Sequence, residues 1–315
     1  MTTKPPYFGL RGRNLNVAIA VVAGFDMLLF GFDQGVVGGL LTLESFTRTF
    51  PEICTTGACT AHMTPAQANH QSVVQGVSVS SYNLGCFLGA LVTIFAGDRL
   101  GRRRCILAGS VVMAVGAVLQ CSAFSLPQLV VGRVVCGVGN GVNTSTVPVW
   151  QAECAKTHRR GPTVMAELCI VVGGVALSYW LDFGFSYLEP SSAAWRVPVA
   201  FQLVFALFVI ATVMAMPESP RWLVLRDRDD EAAAVLSAVH DLPADDHYVA
   251  AELEAIRATV RAAHQGSFRD LFRMGKKKHF QRTVLAYGIQ VLQQITGINL
   301  ISTLRPALPL PLARG

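Results

Sequence analysis

Two ionisable side chains, Asp33 and Arg133, lie deep inside long apolar segments of the sequence. Asp33 falls in the stretch FGFDQGVVGG, about eight residues from the end of its segment, and Arg133 lies about four residues into another segment. Ionisable groups at membrane depth cost several kcal/mol, so each is a candidate for function. A carboxylate that a nearby guanidinium stabilises can bind a proton when that contact breaks. The two residues therefore predict either a proton carrier or a static buried ion pair.

Two further polar residues occur inside apolar segments. Asp26 precedes Asp33 by seven residues and so lies on the same face of a helix. We interpret Asp26 either as a second group of a proton relay or as a group that lines the same aqueous surface. Asn143 begins NTS, which matches a glycosylation sequon, but its position within an apolar segment argues against modification.

The last apolar segment carries four amide side chains: Gln290, Gln293, Gln294 and Asn299. On an ideal helix the three glutamines share one face while Asn299 points away, so all four converge only if the helix breaks, which Gly297 permits. Amides that donate and accept hydrogen bonds suit an uncharged, polyhydroxylated ligand better than an anion or a metal. The alternative is hydrogen bonding between helices, which also uses Gln and Asn.

A cluster of charges is predicted where two apolar segments join through a tight turn. The joining stretch, GDRLGRRR, contains Asp98, Arg99, Arg102 and Arg103. Its arginines could reach Glu153 or Glu218, which lie near the ends of other segments. Such contacts would hold helix ends together and would open if the helices rock. Taken alone, the arginines would be signals of membrane topology.

Long apolar segments must position all of these residues. Apolar residues make up 52% of the chain and charged residues 15%, which is atypical of a soluble protein. Roughly 20 apolar residues can span a bilayer as a helix. The candidate spans are 17–41, 73–97, 105–124, 129–150, 164–185, 197–216 and 284 to about 303. We therefore predict an all-α integral membrane protein in contact with the lipid bilayer.

The positive charges orient these spans. Of 26 Lys and Arg residues, 20 lie in the N-terminal segment and in alternate connecting segments, which share one side of the membrane. The positive-inside rule makes that side cytosolic and places the N-terminus there. The net charge of +6 thus reflects topology, and no nucleic-acid partner is expected.

The chain divides into five predicted parts. They are a cytosolic N-terminus (1–16), a six-helix transport domain (17–216), a cytosolic loop with short amphipathic helices (217–281), a partial seventh helix (282–303) and a Pro-rich tail (304–315). Within the loop, apolar residues recur at helical spacing behind the acidic capping candidates Asp245 and Asp246. These apolar residues are Val249, Leu253, Ile256 and Val260.

Several motifs, taken in order, resemble the sugar porter family of the major facilitator superfamily, most closely its fungal hexose–proton and glycerol–proton symporters. They are FGFDQGVVGG, GDRLGRRR, GRVVCGVGNG leading to VPVWQAECA, HRRG, WRVPVAFQ, PESPRWL and QQITGIN. The resemblance implies two domains of six helices each that alternate access by rocking. It implies that this chain holds the N-terminal six-helix half plus the start of a seventh helix.

The resemblance also implies roles for individual residues. Asp33 matches the proton-coupling aspartate and Arg133 its partner. Gln293, Gln294 and Asn299 match sugar-contacting amides, which Gln290 extends. The inner charge network of the family matches a larger set: Arg99, Arg102, Arg103, Glu153, Arg160, Glu218 and Arg221, beside Asp98.

Two departures from the family pattern modify these expectations. Leu168, next to Glu167, replaces a substrate-contacting glutamine, and the segment after Thr303 does not continue as a span. We expect a proton-coupled sugar or polyol transporter of the plasma membrane, in a truncated and transport-incompetent form. The alternative is a sensor-like or regulatory membrane protein that does not transport. No enzyme activity, cofactor or metal is expected.

Overall fold

The computed structural model describes residues 6–55, 63–155, 160–264 and 279–297. The regular secondary structure of these residues is helical. Apart from short 3-10 turns at Pro6–Gly9 and Pro51–Ile53, the helices are α1 (Gly12–Leu40), α2 (Glu44–Thr49), α3 (Pro65–Leu100), α4 (Arg102–Cys121), α5 (Leu126–Cys154), α6 (Arg160–Ser186), α7 (Ala193–Val213), α8 (Pro220–Leu225), α9 (Asp229–His240), α10 (His247–His264) and α11 (His279–Ile295).

The first six predicted spans correspond to α1, α3, α4, α5, α6 and α7, with ends that differ by up to eight residues, the largest difference being at the start of α3. Among the described helices, five are long and apolar enough to cross a membrane: α1, α3, α4, α6 from Gly161 onward, and α7. Helix α5 has the length but is less apolar, because it carries Arg133, Asn140 and Asn143. These polar residues are buried among the other helices.

Local sequence signals explain several helix ends. Thr64 and Gln67 form a reciprocal capping box at the start of α3, with Pro65 in the first turn. Gly101, at φ +88°, separates α3 from α4 in a conformation that favours glycine. The Asp246 carboxylate accepts a hydrogen bond of 2.7 Å from the backbone N–H of Tyr248 at the start of α10. That contact confirms the predicted cap.

The long helices pack closely through small residues. Helix α1 lies against α6 and α7, whereas α5 lies between α3 and α4. A methyl group at Gly31 of α1 would overlap the carbonyl oxygen of Val171 on α6, and Gly85 of α3 meets the backbone of α5 at Gly137. Such backbone-to-backbone approach is how helices associate where water provides no driving force.

The segment after α7 folds back on one end of the bundle. Its buried apolar residues, including Val249, Leu253 and Val260, share a core with the start of α1. The predicted amphipathic helix packs its apolar face on α8 and α9, and α9 in turn contacts α1. Asn16 of α1 donates a hydrogen bond of 2.9 Å to the carbonyl oxygen of Val239 on α9, which joins the two regions.

Candidate functional site

Asp33 is buried within the bundle, with 3% of its surface exposed. It sits on α1 and faces Cys136 on α5. The Cys136 thiol lies 3.4 Å from Asp33 Oδ2 and 3.8 Å from the amide oxygen of Gln202 on α7, so it can donate a hydrogen bond to either. The carboxyl group therefore faces the neutral thiol of Cys136 and the hydroxyl of Tyr82.

Arg133 lies one turn from Cys136 but makes other contacts. Its guanidinium donates a hydrogen bond of 3.2 Å to the carbonyl oxygen of Val79 on α3. It also lies over the ring of Tyr82, 5.5 Å from the centroid. Among the described residues, Asp33 and Arg133 do not form an ion pair. The two predicted residues lie in one buried polar region without direct contact, because the guanidinium of Arg133 binds to Val79 and Tyr82 of α3 instead.

Polar side chains continue along α5 towards the other end of the bundle. The amide of Asn140 donates to the hydroxyl of Tyr82. One turn further, Asn143 donates to Asp26 Oδ1 at 2.6 Å and to the hydroxyl of Ser110 at 3.0 Å. Asn143 is fully buried. Only the spacing of Asp26 to Asp33 pointed to this region in the sequence, and its partner on α5 was not foreseen.

The charged cluster is assembled at the end of the bundle where the chain begins; it consists of Asp98, Arg102, Arg103, Glu153 and Glu218. Arg102 Nε lies 3.2 Å from Glu153 Oε2, and Arg102 Nη1 lies 3.1 Å from Asp98 Oδ1. The hydroxyl of Ser219 donates to the same Glu153 oxygen at 2.6 Å. These contacts join the start of α4 to the end of α5 and to the segment that leads into α8.

Glu218 holds the first turn of α4. Its Oε1 accepts hydrogen bonds from the backbone N–H groups of Arg102 at 3.0 Å and of Arg103 at 3.3 Å. A carboxylate at a helix N-terminus satisfies orphan donors and complements the helix dipole. The Arg103 side chain reaches back to Glu218 at 3.7 Å and donates to the carbonyl oxygen of Met216 at 2.6 Å.

The remaining residues predicted for this cluster are less engaged. Arg221 lines a cavity of about 440 Å³ beside Glu153 and Asp98. Arg99 contributes its backbone carbonyl oxygen, which accepts a hydrogen bond of 3.1 Å from Arg226. The side chain of Arg160 lies outside the described residues.

Two residues of α8 and its C-terminal end were missed in the sequence. The indole N–H of Trp222 donates to the carbonyl oxygen of Asp98 at 2.9 Å, and Arg226 donates to the same oxygen at 2.8 Å. Both residues follow the PESPR stretch and are four residues apart, so they lie on the same face of a helix. That spacing was the available signal.

Three of the four predicted amides of the last helix are exposed, whereas Asp33 is buried. Gln290, Gln293 and Gln294 are exposed on α11. The helix ends at Ile295, and Gly297 adopts φ +75°, at the position where the sequence predicts a break. Asn299 and the predicted tail lie outside the described residues.

The departure at Leu168 is visible on α6. Leu168 is 57% exposed, whereas the neighbouring Glu167 is 4% exposed and turned into the bundle. Oε1 of Glu167 is buried without a hydrogen-bond partner among the described residues. The position that carries a glutamine in the family pattern is thus on the accessible face of α6, and here it presents an apolar side chain.

Comparison with known proteins identifies relatives of this arrangement. Residues 18–308 match the family model described as sugar (and other) transporter. The sugar transporter STL1 of Saccharomyces cerevisiae is 40% identical over 303 residues, which cover 94% of this chain and 52% of that protein. The low-affinity glucose transporter HXT1 of the same yeast is 35% identical over 302 residues, covering 94% and 50%. This chain spans about half the length of the curated relatives it matches.

Solved structures show the same fold. A structure of the proton:xylose symporter XylE bound to 6-bromo-6-deoxy-D-glucose matches with a TM-score of 0.78 at 23% identity, covering 95% of this chain and 63% of that one. A partially occluded inward-open conformation of the xylose transporter XylE from E. coli matches with a TM-score of 0.72 at 22% identity, covering 91% and 65%. The six spanning helices and the start of a seventh therefore have the arrangement of the N-terminal part of that fold.

Proposed function

Because this chain belongs to the sugar transporter family of the major facilitator superfamily, we propose that it forms the N-terminal half of a carrier that moves a sugar or related polyol with a proton. The observation that carries the proposal is Asp33, a carboxyl group at 3% exposure that faces a thiol and has no cation in contact. A carboxyl group in such surroundings favours its protonated form and releases the proton when water or a guanidinium reaches it. Arg133, held nearby by Val79 and Tyr82, is the proposed guanidinium.

The charged cluster is the proposed latch of the alternating-access cycle. Its contacts join the ends of α4 and α5 to the segment before α8, all at one end of the bundle. Partly buried ion pairs of this kind hold one geometry firmly and are weakened when water enters. We place this end in the cytosol, with the N-terminus, because positive charge concentrates there. The plasma membrane is the proposed location of this multi-pass membrane protein.

The amides of α11 are proposed as half of the sugar site. Gln290, Gln293 and Gln294 precede the turn at Gly297, which would redirect Asn299 towards the same ligand. Uncharged hydroxyl groups match their donors and acceptors. The proteins that this chain resembles are transporters, so we propose neither an enzymatic reaction nor a cofactor.

A polypeptide of these 315 residues alone is proposed not to complete transport. Apolar side chains of α11 remain exposed, among them Leu285 at 66%, Leu292 at 64% and Ile295 at 75%. A substrate site shared between two halves needs a second half on that side. A sensor-like or regulatory role, in which these faces bind another membrane protein, is the second candidate, and the same exposed faces favour it.

Uptake in yeast without hexose carriers tests the proposal. Labelled glucose and glycerol are followed with the 315-residue chain alone and with a chimera that adds the C-terminal half of the STL1 relative. We expect uptake above the empty-vector level only with the chimera. Uptake by the short chain would overturn the proposed incompetence. A chimera that reaches the surface and moves neither compound would favour the regulatory role.

A further inference from the structure

Helices α1 and α5 bring together two carboxyl groups with two partners in matching register. Asp33 faces Cys136, and Asp26, seven residues earlier, faces Asn143, seven residues later on the antiparallel helix. Two turns of helix separate the two contacts by about 10 Å. Asp26 is 2% exposed and Asn143 is 0% exposed. The second contact therefore forms a separate buried site, which the role of Asp33 does not explain.

The hydrogen bonds at this site leave two acceptor oxygens without a donor. The Asn143 amide nitrogen donates to Asp26 Oδ1 and to the Ser110 hydroxyl. The Ser110 hydroxyl in turn donates to the carbonyl oxygen of Ile106 at 2.8 Å. Asp26 Oδ2 and Asn143 Oδ1 are buried without a partner among the described residues. Two oxygens on the same pair of side chains lack a donor, and buried polar atoms rarely remain so.

A proton bound to Asp26 would supply the hydrogen-bond donor that this site lacks. A protonated carboxyl group has one O–H donor beside its acceptor oxygen, and a primary amide offers the reverse set. With the amide N–H already bound to Oδ1, a proton on Oδ2 would give Asp26 a hydrogen-bond donor, and Asn143 Oδ1 is an acceptor without a partner on the opposing side chain. An ionised Asp26 would instead keep Oδ2 buried and charged without a donor, which is unfavourable in an apolar environment.

Among the residues that the structure describes, no positively charged side chain acts on Asp26 to replace that proton. Asn143 and Ser110 face Asp26 from α5 and α4, and neither is ionisable near neutral pH. The titratable group among the described residues that acts on Asp26 is Glu167 of α6, which is also acidic. The static alternative, an ionised Asp26 held by Asn143 alone, leaves the orphan oxygens unexplained.

We propose that Asp26 and Asn143 form a second proton-binding site of the chain, separate from Asp33 and occupied in this conformation. Under the predicted orientation it lies two turns nearer the cytosol than Asp33, with the Asn140–Tyr82 contact between them. The proposal that this site binds a proton rests on its geometry. A role for the site in coupling proton movement to transport rests on the proposed function.

Infrared spectroscopy of the purified 315-residue chain in detergent tests the site without sugar or transport. The carbonyl stretch of protonated carboxyl groups is recorded at neutral pH for the parent, for Asp26→Asn and for Asp33→Asn as the matched control. We expect Asp26→Asn to remove one band that Asp33→Asn leaves in place. Identical parent and Asp26→Asn spectra would overturn the proposal.

A second variant keeps the test decisive if Asp26→Asn fails to fold. Asn143→Leu retains the carboxyl group and removes its partner, so the Asp26 band should persist and shift to higher wavenumber as its hydrogen bonds are lost. A band that does not shift contradicts pairing with Asn143. Because neither readout depends on uptake, a transport failure in yeast leaves this result intact, and the reverse holds as well.

Discussion

Arg102 and Glu153 form an ion pair of 3.2 Å whose side chains are 15% and 12% exposed. The pair connects the first residue of α4 to the last turn of α5, 51 residues later in the chain. A second carboxylate, Glu218, holds the same end of α4 through backbone N–H groups. One helix start is thus fixed by acidic groups from two other parts of the chain.

Removal of the Glu153 charge should weaken this connection. In Glu153→Gln the mostly buried guanidinium of Arg102 loses its carboxylate, and we expect the free energy of unfolding to fall by about 2 kcal/mol. Denaturant titration in detergent measures the change. Asp98→Asn is the control, because Asp98 contacts the same guanidinium but is 71% exposed, and should cost less than about 0.5 kcal/mol. Equal losses in the two variants would contradict the special role of Glu153.

The cap that Glu218 provides should be visible at the backbone. Glu218→Ala leaves the N–H groups of Arg102 and Arg103 without their acceptor, and we expect a loss of about 1 kcal/mol. Hydrogen–deuterium exchange at the first turn of α4 should accelerate. Glu231→Ala, which removes an exposed pair with Arg228, should leave that exchange unchanged. Unaltered exchange in Glu218→Ala would show that the cap is dispensable.

Close packing between α1 and α6 predicts opposite effects at two glycines. Gly31→Ala forces a methyl group into the carbonyl oxygen of Val171, and we expect a loss of about 2 kcal/mol. Gly173→Ala meets open space on α6 and should gain up to about 1 kcal/mol from the better helix propensity of alanine. Thermal unfolding followed by size-exclusion chromatography compares them. A stabilising effect at Gly31 would contradict the packing described.

Loss of the Asp33 carboxyl group should uncouple transport from protons. In the chimera with the STL1 C-terminal half, Asp33→Asn cannot release a proton, so we expect uptake against a gradient to fall at least tenfold. Uptake is measured as a function of external pH and with a protonophore. Glu44→Gln, an exposed residue paired with Arg48, serves as control and should retain the parent profile. Unchanged proton dependence in Asp33→Asn would remove the coupling assignment.

Hydrophobic periodicity was sufficient for the helices but not for their contacts. The four-, three- and four-residue spacing of Val249, Leu253, Ile256 and Val260 predicted a helix whose apolar face is indeed packed. The contact of Asp26 with Asn143 spans 117 residues of sequence. Periodicity within one helix has no information about which residue of a distant helix will oppose it.

The contacts of Arg133 explain why it does not pair with Asp33. Charge and depth placed Arg133 near the carboxyl group, and the fold agrees to that extent. The carbonyl oxygen of Val79 and the ring of Tyr82 then draw the guanidinium towards α3. The positions of Val79 and Tyr82 depend on how α3 packs on α5 through Gly85 and Gly137. That packing cannot be predicted from the sequence of one helix. The roles of the α11 amides stay predictions, since Asn299 lies outside the described residues.

The glycine contacts between α1 and α6 have a mechanical consequence. Where a carbonyl oxygen meets a glycine, as Val171 meets Gly31, no flexible side chain lies between the two backbones to absorb a displacement. A displacement of α6 is therefore expected to move α1 as well, together with the carboxyl groups of Asp26 and Asp33. We therefore expect the access of these carboxyl groups to water to change when α1 and α6 move together, rather than when one helix slides past the other.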